Sequence, residues 1–386
     1  VCNLPRQGKG AEWETVAPPK GSTRFIMNKM DYTDAAYAPI LIEQEHVHEN
    51  TFRELYRVIV KTPQELYENG YDEESKTYVG DKWGGKLLRA PEIYYTILEK
   101  GKDKLVTLKS VADVRFGIKT GANDFFVLNK TETINRKIEP KYLSPFFTSP
   151  KDCSSIFVED KALRYYLFLC NDSEEKLKGT NALKYVKWAE ESVIEQGKEV
   201  RAFNQRSSVA GRENWYSIGE RRKPIFNCNY MIDSLMRFFH GKVYAINNFH
   251  EIHYNGKYEN ELAVCLNSSL TQFFVNILGR SNLGDGLLKI EGFEVADLMI
   301  LNPESINSPS ATQEGFEKRE LKDLFTEFGF DRKIPVREQE PQPLADRQTL
   351  DDIIFDELGL TIEERKEVYW ATAELVQQRL NKAASR

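Results

Sequence analysis

Val114-Arg115-Phe116-Gly117-Ile118-Lys119-Thr120-Gly121-Ala122-Asn123-Asp124-Phe125-Phe126-Val127-Leu128 is the stretch on which the reading of this chain turns. Apolar Val114, Phe116 and Ile118 alternate with Arg115 and Lys119, the pattern of a strand with one buried face. Thr120–Asp124 reads as a turn. Gly121 accepts positive φ, and Asn123 and Asp124 can bond their own backbone. Phe125–Leu128 reads as a second short strand running back. Such a turn can offer amide N–H groups and the Lys119 ammonium to an anion such as a phosphate. It equally suits a plain hairpin.

The 386 residues suffice for two or three domains with real cores. Apolar residues at 41% and charged residues at 29% are those of a soluble globular protein. No apolar run approaches the ~20 residues needed to cross a bilayer, so no membrane partner is expected. Val1–Arg6 carries no signal-peptide pattern, and the absence of an initiator Met suggests a processed chain or a fragment. The five cysteines, Cys2, Cys153, Cys170, Cys228 and Cys265, form no CxxC pair. That argues against a disulfide framework or a zinc site and fits a reducing cytoplasm. The net charge of −6 is unevenly spread. Residues 100–150 carry a net +5 and residues 197–290 a net +4, whereas residues 311–386 carry −5. This suits a basic face on an acidic body.

Along the chain, Phe25–Met30 reads as a strand or short helix and Arg57–Val60 as a strand. Thr62-Pro63 and Pro91 each start a helix. Lys82-Trp83-Gly84-Gly85-Lys86 combines a tryptophan, two glycines and cations, which suits a nucleic-acid groove or a buried anchor. Leu163–Cys170 reads as a strand, Asn181–Glu195 as a helix, Gly197–Arg212 as a basic, mobile connection and Val243–Ile246 as a strand. Glu261–Gly279, capped by Asn260, reads as one long amphipathic helix. Arg280–Ile290 is a glycine-rich loop opening into a strand. Phe316–Phe328 reads as a short helix and Asp331–Gln348 as a linker. The Thr361-Ile362-Glu363-Glu364 capping box opens a last helix, which must dock on the body or on a partner.

No chemistry-bearing constellation is complete. There is no dinucleotide fingerprint, Walker loop or Gly-x-Ser-x-Gly. His46 and His48 have no third ligand, so no metal site is expected. Ala17-Pro18-Pro19-Lys20, Ser144-Pro145-Phe146-Phe147 and Asn302-Pro303-Glu304 each touch the Asn/Asp/Ser-Pro-Pro-aromatic motif of amino-methylating enzymes without completing it.

Four stretches, in order, carry a resemblance. They are Tyr78–Lys86 with Leu88–Tyr94, Val114–Leu128, Leu266–Ser269 with Gly279–Lys289, and Leu350–Thr361. Together they resemble the region after the catalytic domain in large single-chain N6-adenine DNA methyltransferases of restriction–modification and phage-defence systems. The resemblance implies a target-recognition region that reads double-stranded DNA beside a catalytic methyltransferase domain or subunit. It also implies that S-adenosylmethionine belongs to that missing domain and that this chain has no cofactor and no catalytic residue of its own. The implied fold is mixed α/β (α+β), a recognition domain of short strands and packed helices with a C-terminal helical segment. The expected divisions are a connecting region or catalytic-domain tail at 1–77, recognition at 78–310, a short helix and linker at 311–348 and the helical segment at 349–386.

The expected DNA contacts fall in three loops: Lys119, Thr120 and Asn123; Arg221, Arg222 and Lys223; and Arg280, Asn282 and Lys289. Lys and Arg suit phosphates, and Asn and one Arg suit base edges. The alternative is a specificity or assembly subunit acting through protein–protein contacts, its Leu350–Lys382 tail docking a catalytic partner. A third reading, a hydrolase using His240, His250 or His253, lacks a marked nucleophile.

Overall fold

Phe125 and Phe126 stand side by side in the sequence, and both side chains are fully buried. A strand would send them to opposite faces. In the computed structural model they lie on a one-turn helix, Asn123–Phe126, which aims both into one core. The Val114–Leu128 stretch is therefore not a hairpin. Strand Ala112–Phe116 pairs antiparallel with Phe249–Tyr254, and strand Val127–Asn129 pairs with Tyr165–Phe168 in a different sheet. The expected one-sided burial also fails at its centre, because Phe116 is 64% exposed.

The structure describes residues 23–28, 51–52, 56–61, 63–72, 76–78, 84–159, 161, 163–196, 199–241, 243–281, 284–306 and 311–384. His46, His48, Lys82, Trp83 and Asn282 lie outside them. The chain divides into two compact units, Val1–Tyr94 and Tyr95–Arg386. In the first, Tyr56–Lys61 is the middle strand of an antiparallel sheet with Thr23–Asn28 and Thr51–Phe52. Helix Pro63–Gly70, a short ladder between Tyr71–Asp72 and Thr77–Tyr78, and a π-helical turn at Gly84–Arg89 follow. The strand and the helix expected at 57–60 and from Pro63 are found, and Glu92–Lys100 is the helix expected after Pro91.

The second unit is mixed α/β with helices at its C-terminal end. One four-stranded antiparallel sheet runs in the order Phe238–Phe239, Ile225–Cys228, Phe249–Tyr254, Ala112–Phe116. The other runs Tyr244–Ala245, Leu143–Phe147, Tyr165–Phe168, Val127–Asn129, with its first pair parallel. Gly117 and Ile118 carry the chain from one to the other. Gly117 N–H donates to the Phe249 carbonyl and Ile118 N–H to the Ala245 carbonyl, each at 2.8 Å. A Cβ at Gly117 would collide with the Ile246 carbonyl oxygen. Gly117→Ala is accordingly expected to lower stability by about 1–3 kcal/mol, measurable as a reduced midpoint in urea with an unchanged slope.

Phe125 centres the core beneath the second sheet. Its ring lies within 4.6–5.7 Å of Phe126, Phe168, Tyr185, Phe203 and Trp215. Helix Asn181–Glu191 supplies Tyr185, whose hydroxyl donates to the Phe125 carbonyl at 2.6 Å. That helix ends short of Glu195, where strand Val193–Gln196 pairs with Glu199–Ala202. A second aromatic cluster, Phe147, Phe226, Phe239 and Phe249, fills the first sheet's inner face.

The long helix expected at Glu261–Gly279 is two helices, Glu259–Asn267 and Ser269–Leu278, bent by 63°. Ser268 takes an extended conformation, and its hydroxyl accepts from Thr271 N–H, starting the second helix afresh. Tyr258, not Asn260, occupies the first cap. Among the described residues no single helix is long and apolar enough to cross a membrane.

Phe316–Phe328 likewise resolves into Ala311–Lys318 and Leu324–Phe328, the latter capped by Asp323. The Asp331–Gln348 linker is pinned down. Val336 is buried, Arg337 pairs with Glu367 and Glu374, and helix Ala345–Leu358 already begins within it. The Thr361 capping box is present in both directions, and helix Ile362–Ala384 packs on Ser269–Leu278. Asp351, fully buried, accepts from Ser269 N–H, Ser269 Oγ and Tyr369 Oη. The apolar face of the last helix is thus covered by the chain's own body.

Candidate nucleic-acid interface

The Gly197–Arg212 segment, expected to be mobile, instead holds the 120–124 turn at three points through Arg206, Ser208 and Arg212. The Arg206 guanidinium, 5% exposed, forks onto both Asp124 carboxylate oxygens at 2.6 Å. Ser208 Oγ donates to the Gly121 carbonyl at 2.6 Å, and Arg212 Nη2 donates to the Thr120 carbonyl at 2.6 Å. Gly121 sits at φ +80°, with Ser208 so close that a side chain would not fit. Thr120 is buried. Its hydroxyl donates to Asn123 Oδ1 at 2.5 Å and accepts from Ala122 N–H. The bonds of Thr120 and Gly121 are therefore spent inside the turn; Lys119, Asn123 and Asp124 are exposed, and of these Asn123 and Asp124 already hold partners within the chain.

Lys119 does not face outward alone. It lines a cleft of about 430 Å³ with Arg212, Arg221, Asn171, Asn214 and Ser217. Glu213 is the one carboxylate of the lining. Lys119 and Arg221, far apart in sequence, make no ion pair among the described residues. Partial burial, and then the nearby Arg221 charge, hold the Arg212 pKa below its ordinary value. The second of these causes places two like charges in the same cleft. Ser217 Oγ donates to Asn171 Oδ1 at 2.6 Å and accepts from Gly219 N–H, giving the wall hydrogen-bonding groups in fixed positions. The sequence reading missed Arg212, Asn171, Asn214 and Ser217. The basic character of 197–212 pointed at Arg212, but nothing local told that the segment folds back on residue 120.

The second loop is exposed throughout at Arg221, Arg222 and Lys223. Arg222 donates to Asn255 Oδ1 at 3.1 Å, and the Lys223 ammonium lies 5.7 Å from the Tyr244 ring. The third loop is different. Arg280 pairs with Glu294 at 3.2 Å and Lys289 with Glu291 at 2.6 Å, so its cations are already neutralised. The Glu291 bond raises the Lys289 pKa further. Arg280 and Lys289 do not line the Lys119 cleft, and they flank exposed Phe293 and Tyr230 instead.

The histidines do not assemble a catalytic centre among the described residues. His253 bonds Glu251 at 3.0 Å and His240 pairs with Glu317 at 3.2 Å. His250 is fully buried, neither ring nitrogen is hydrogen-bonded among the described residues, and burial pushes its pKa down to about 4. Among the described residues Cys153, Cys170, Cys228 and Cys265 are free, and no group of three or more His, Cys, Asp or Glu is placed to hold a metal.

Residues 80–327 match the family model of the C-terminal domain of the type II methyltransferase M.Eco57I. The chain is 28% identical over 222 residues to the type II methyltransferase M.AccI of Acinetobacter calcoaceticus, across 51% of this chain and 37% of that protein. Among solved structures, the type IIG restriction endonuclease BpuSI superposes with a TM-score of 0.54 at 15% identity, covering 88% of this chain and 37% of its own. A weaker likeness, with a TM-score of 0.42 at 12% identity over 72% of this chain and 36% of the other, is to the type IIL restriction-modification enzyme MmeI. The chain thus spans little more than a third of the length of these proteins. With the model matched across the two sheets and the cleft between residues 119 and 221, the chain belongs to the family of type II restriction–modification methyltransferase C-terminal domains represented by M.Eco57I.

Proposed function

We propose that this chain recognises double-stranded DNA in a sequence-specific manner, as the target-recognition part of an N6-adenine DNA methyltransferase. The observation that carries the proposal is the cleft lined by Lys119, Arg212 and Arg221, in which Lys119 and Arg221 make no ion pair among the described residues. Unpaired cations on a rigid wall are what phosphates require, and Asn171, Asn214 and Ser217 supply donors and acceptors suited to sugar or base edges. On this reading Lys119, Arg221, Arg222 and Lys223 position the duplex. Thr120 and Asn123 shape the turn that presents Lys119, and the Arg280–Lys289 loop, with Asn282 outside the described residues, reads rather than anchors.

S-adenosylmethionine and the amino-methylating residues belong, in this proposal, to a catalytic domain or subunit that partners this chain. Recognition is assigned to 78–310, with 311–348 and 349–386 bracing it. The test is selection from a duplex library with a randomised core. The chain is expected to enrich one recurrent sequence. Binding that enriches none would refute sequence-specific recognition. N6-methyladenine within the enriched site, in DNA from cells expressing the longer enzyme, would establish the modified base.

A further inference from the structure

The tip of the Gly279–Ile290 loop has an unusual backbone. Gly284, Asp285 and Gly286 stand consecutively at φ +87°, +48° and +68°. Left-handed backbone is sparsely populated for a residue such as aspartate, and it persists where the surroundings over-determine it. Arg379, from the far end of the chain, hydrogen-bonds this tip. We propose that Arg379, on helix Ile362–Ala384, is a positioning residue that fixes the loop in the shape with which it discriminates DNA sequence.

Arg379 is 7% exposed. Its Nε donates to the Gly286 carbonyl at 2.8 Å and its Nη1 to Asn276 Oδ1 at 2.9 Å, while its Nη2 donates to the Ile232 carbonyl. One planar guanidinium thus joins the loop tip, the helix Ser269–Leu278 that leads into the loop, and the segment after strand Tyr230–Met231. That strand pairs with Leu288–Lys289 on the loop's return arm. The next residue, Leu380, packs on Gly286 so closely that a Cβ there would lie 2.8 Å from its Cδ2. The loop mouth is closed separately, by the paired backbones of Arg280 and Lys289 at 2.7 and 3.0 Å. A lysine at 379 keeps the charge but cannot hold three acceptors in one plane.

The inference rests on the DNA reading above, and the experiment separates the two. Wild type, Arg379→Lys, Gly286→Ala and Arg347→Lys are compared as full chains on a duplex library with a randomised core, alongside their melting temperatures. Arg347 is likewise buried in the C-terminal helices, but bonds Glu327 and Asn267 rather than the loop. Arg379→Lys and Gly286→Ala are expected to lose about ten-fold in discrimination at the same base positions. Arg347→Lys is expected to lower the melting temperature and keep the wild-type discrimination. Wild-type discrimination in Arg379→Lys, or an equal loss in Arg347→Lys, overturns the positioning role while leaving DNA recognition standing. A wild type that enriches no sequence overturns both.

Discussion

Glu327→Ala is expected to destabilise the chain by about 3–5 kcal/mol, because it leaves a buried arginine without its counter-ion. Glu327 is fully buried. Arg319 forks onto its two oxygens at 2.8 Å each, Lys322 N–H donates at 2.8 Å and Arg347 Nε at 3.2 Å. Arg347 is itself fully buried, and without Glu327 it loses its ion pair, keeping the Asn267 carbonyl and the face of Phe316. This junction ties helix Leu324–Phe328, helix Ala345–Leu358 and the Asn267 end of the broken helix pair, so its loss is expected to loosen the whole C-terminal end.

The same junction sets an acid limit. Burial pushes the Glu327 pKa up, but the bond from Arg319 and the charge of Arg347 outweigh it and hold it below the ordinary 4.5. The unfolded chain therefore takes up this proton at higher pH than the folded one. The stabilisation is complete above about 4.5 and is lost as the pH falls through the folded value. Melting temperatures recorded from pH 7 downward are expected to fall less steeply in Glu327→Ala than in wild type. Parallel curves would deny Glu327 this role.

Removing Lys119 and Arg221 together is expected to act on DNA and not on stability. Neither side chain has an ion-pair partner among the described residues, so Lys119→Ala/Arg221→Ala is expected to melt as wild type does. Each cation that neutralises one phosphate contributes roughly 0.9 to the slope of log affinity against log salt. The double variant is expected to flatten that slope by about 2 and to weaken all duplex sequences alike. Lys289→Ala, whose ammonium is held by Glu291 at 2.6 Å, is expected to leave the slope nearly unchanged. An unaltered slope in the double variant would remove the cleft from the phosphate path.

What could be read from the sequence was local. Strand Tyr56–Lys61, the helices after Pro63 and Pro91, and the Thr361 capping box follow from patterns spanning a few residues. The errors came where side chains answer to distant partners. Phe125-Phe126 resembles strand sequence, yet four aromatic rings contributed from across the unit, Phe168, Tyr185, Phe203 and Trp215, draw it into a helical turn. The break at Ser268 was legible in principle from Asn267-Ser268-Ser269, whose side chains compete for backbone, but the leucine stripe continued across it. In the candidate interface, the chemistry of Lys119 and Arg221 was evident singly. Their convergence with Arg212 was not, because it depends on residues 203–217 folding back over the turn. Nor could the sequence reveal that Glu291 and Glu294 neutralise the third loop.

DNA recognition through the Lys119 cleft is tested most directly by photocrosslinking. Duplex DNA carrying a photoreactive group at its phosphates is irradiated with the full chain, and the crosslinked peptides are mapped. Crosslinks are expected at Lys119 and within 212–223. Crosslinks confined to other segments, such as 345–384, with the cleft peptides unmodified, would contradict it.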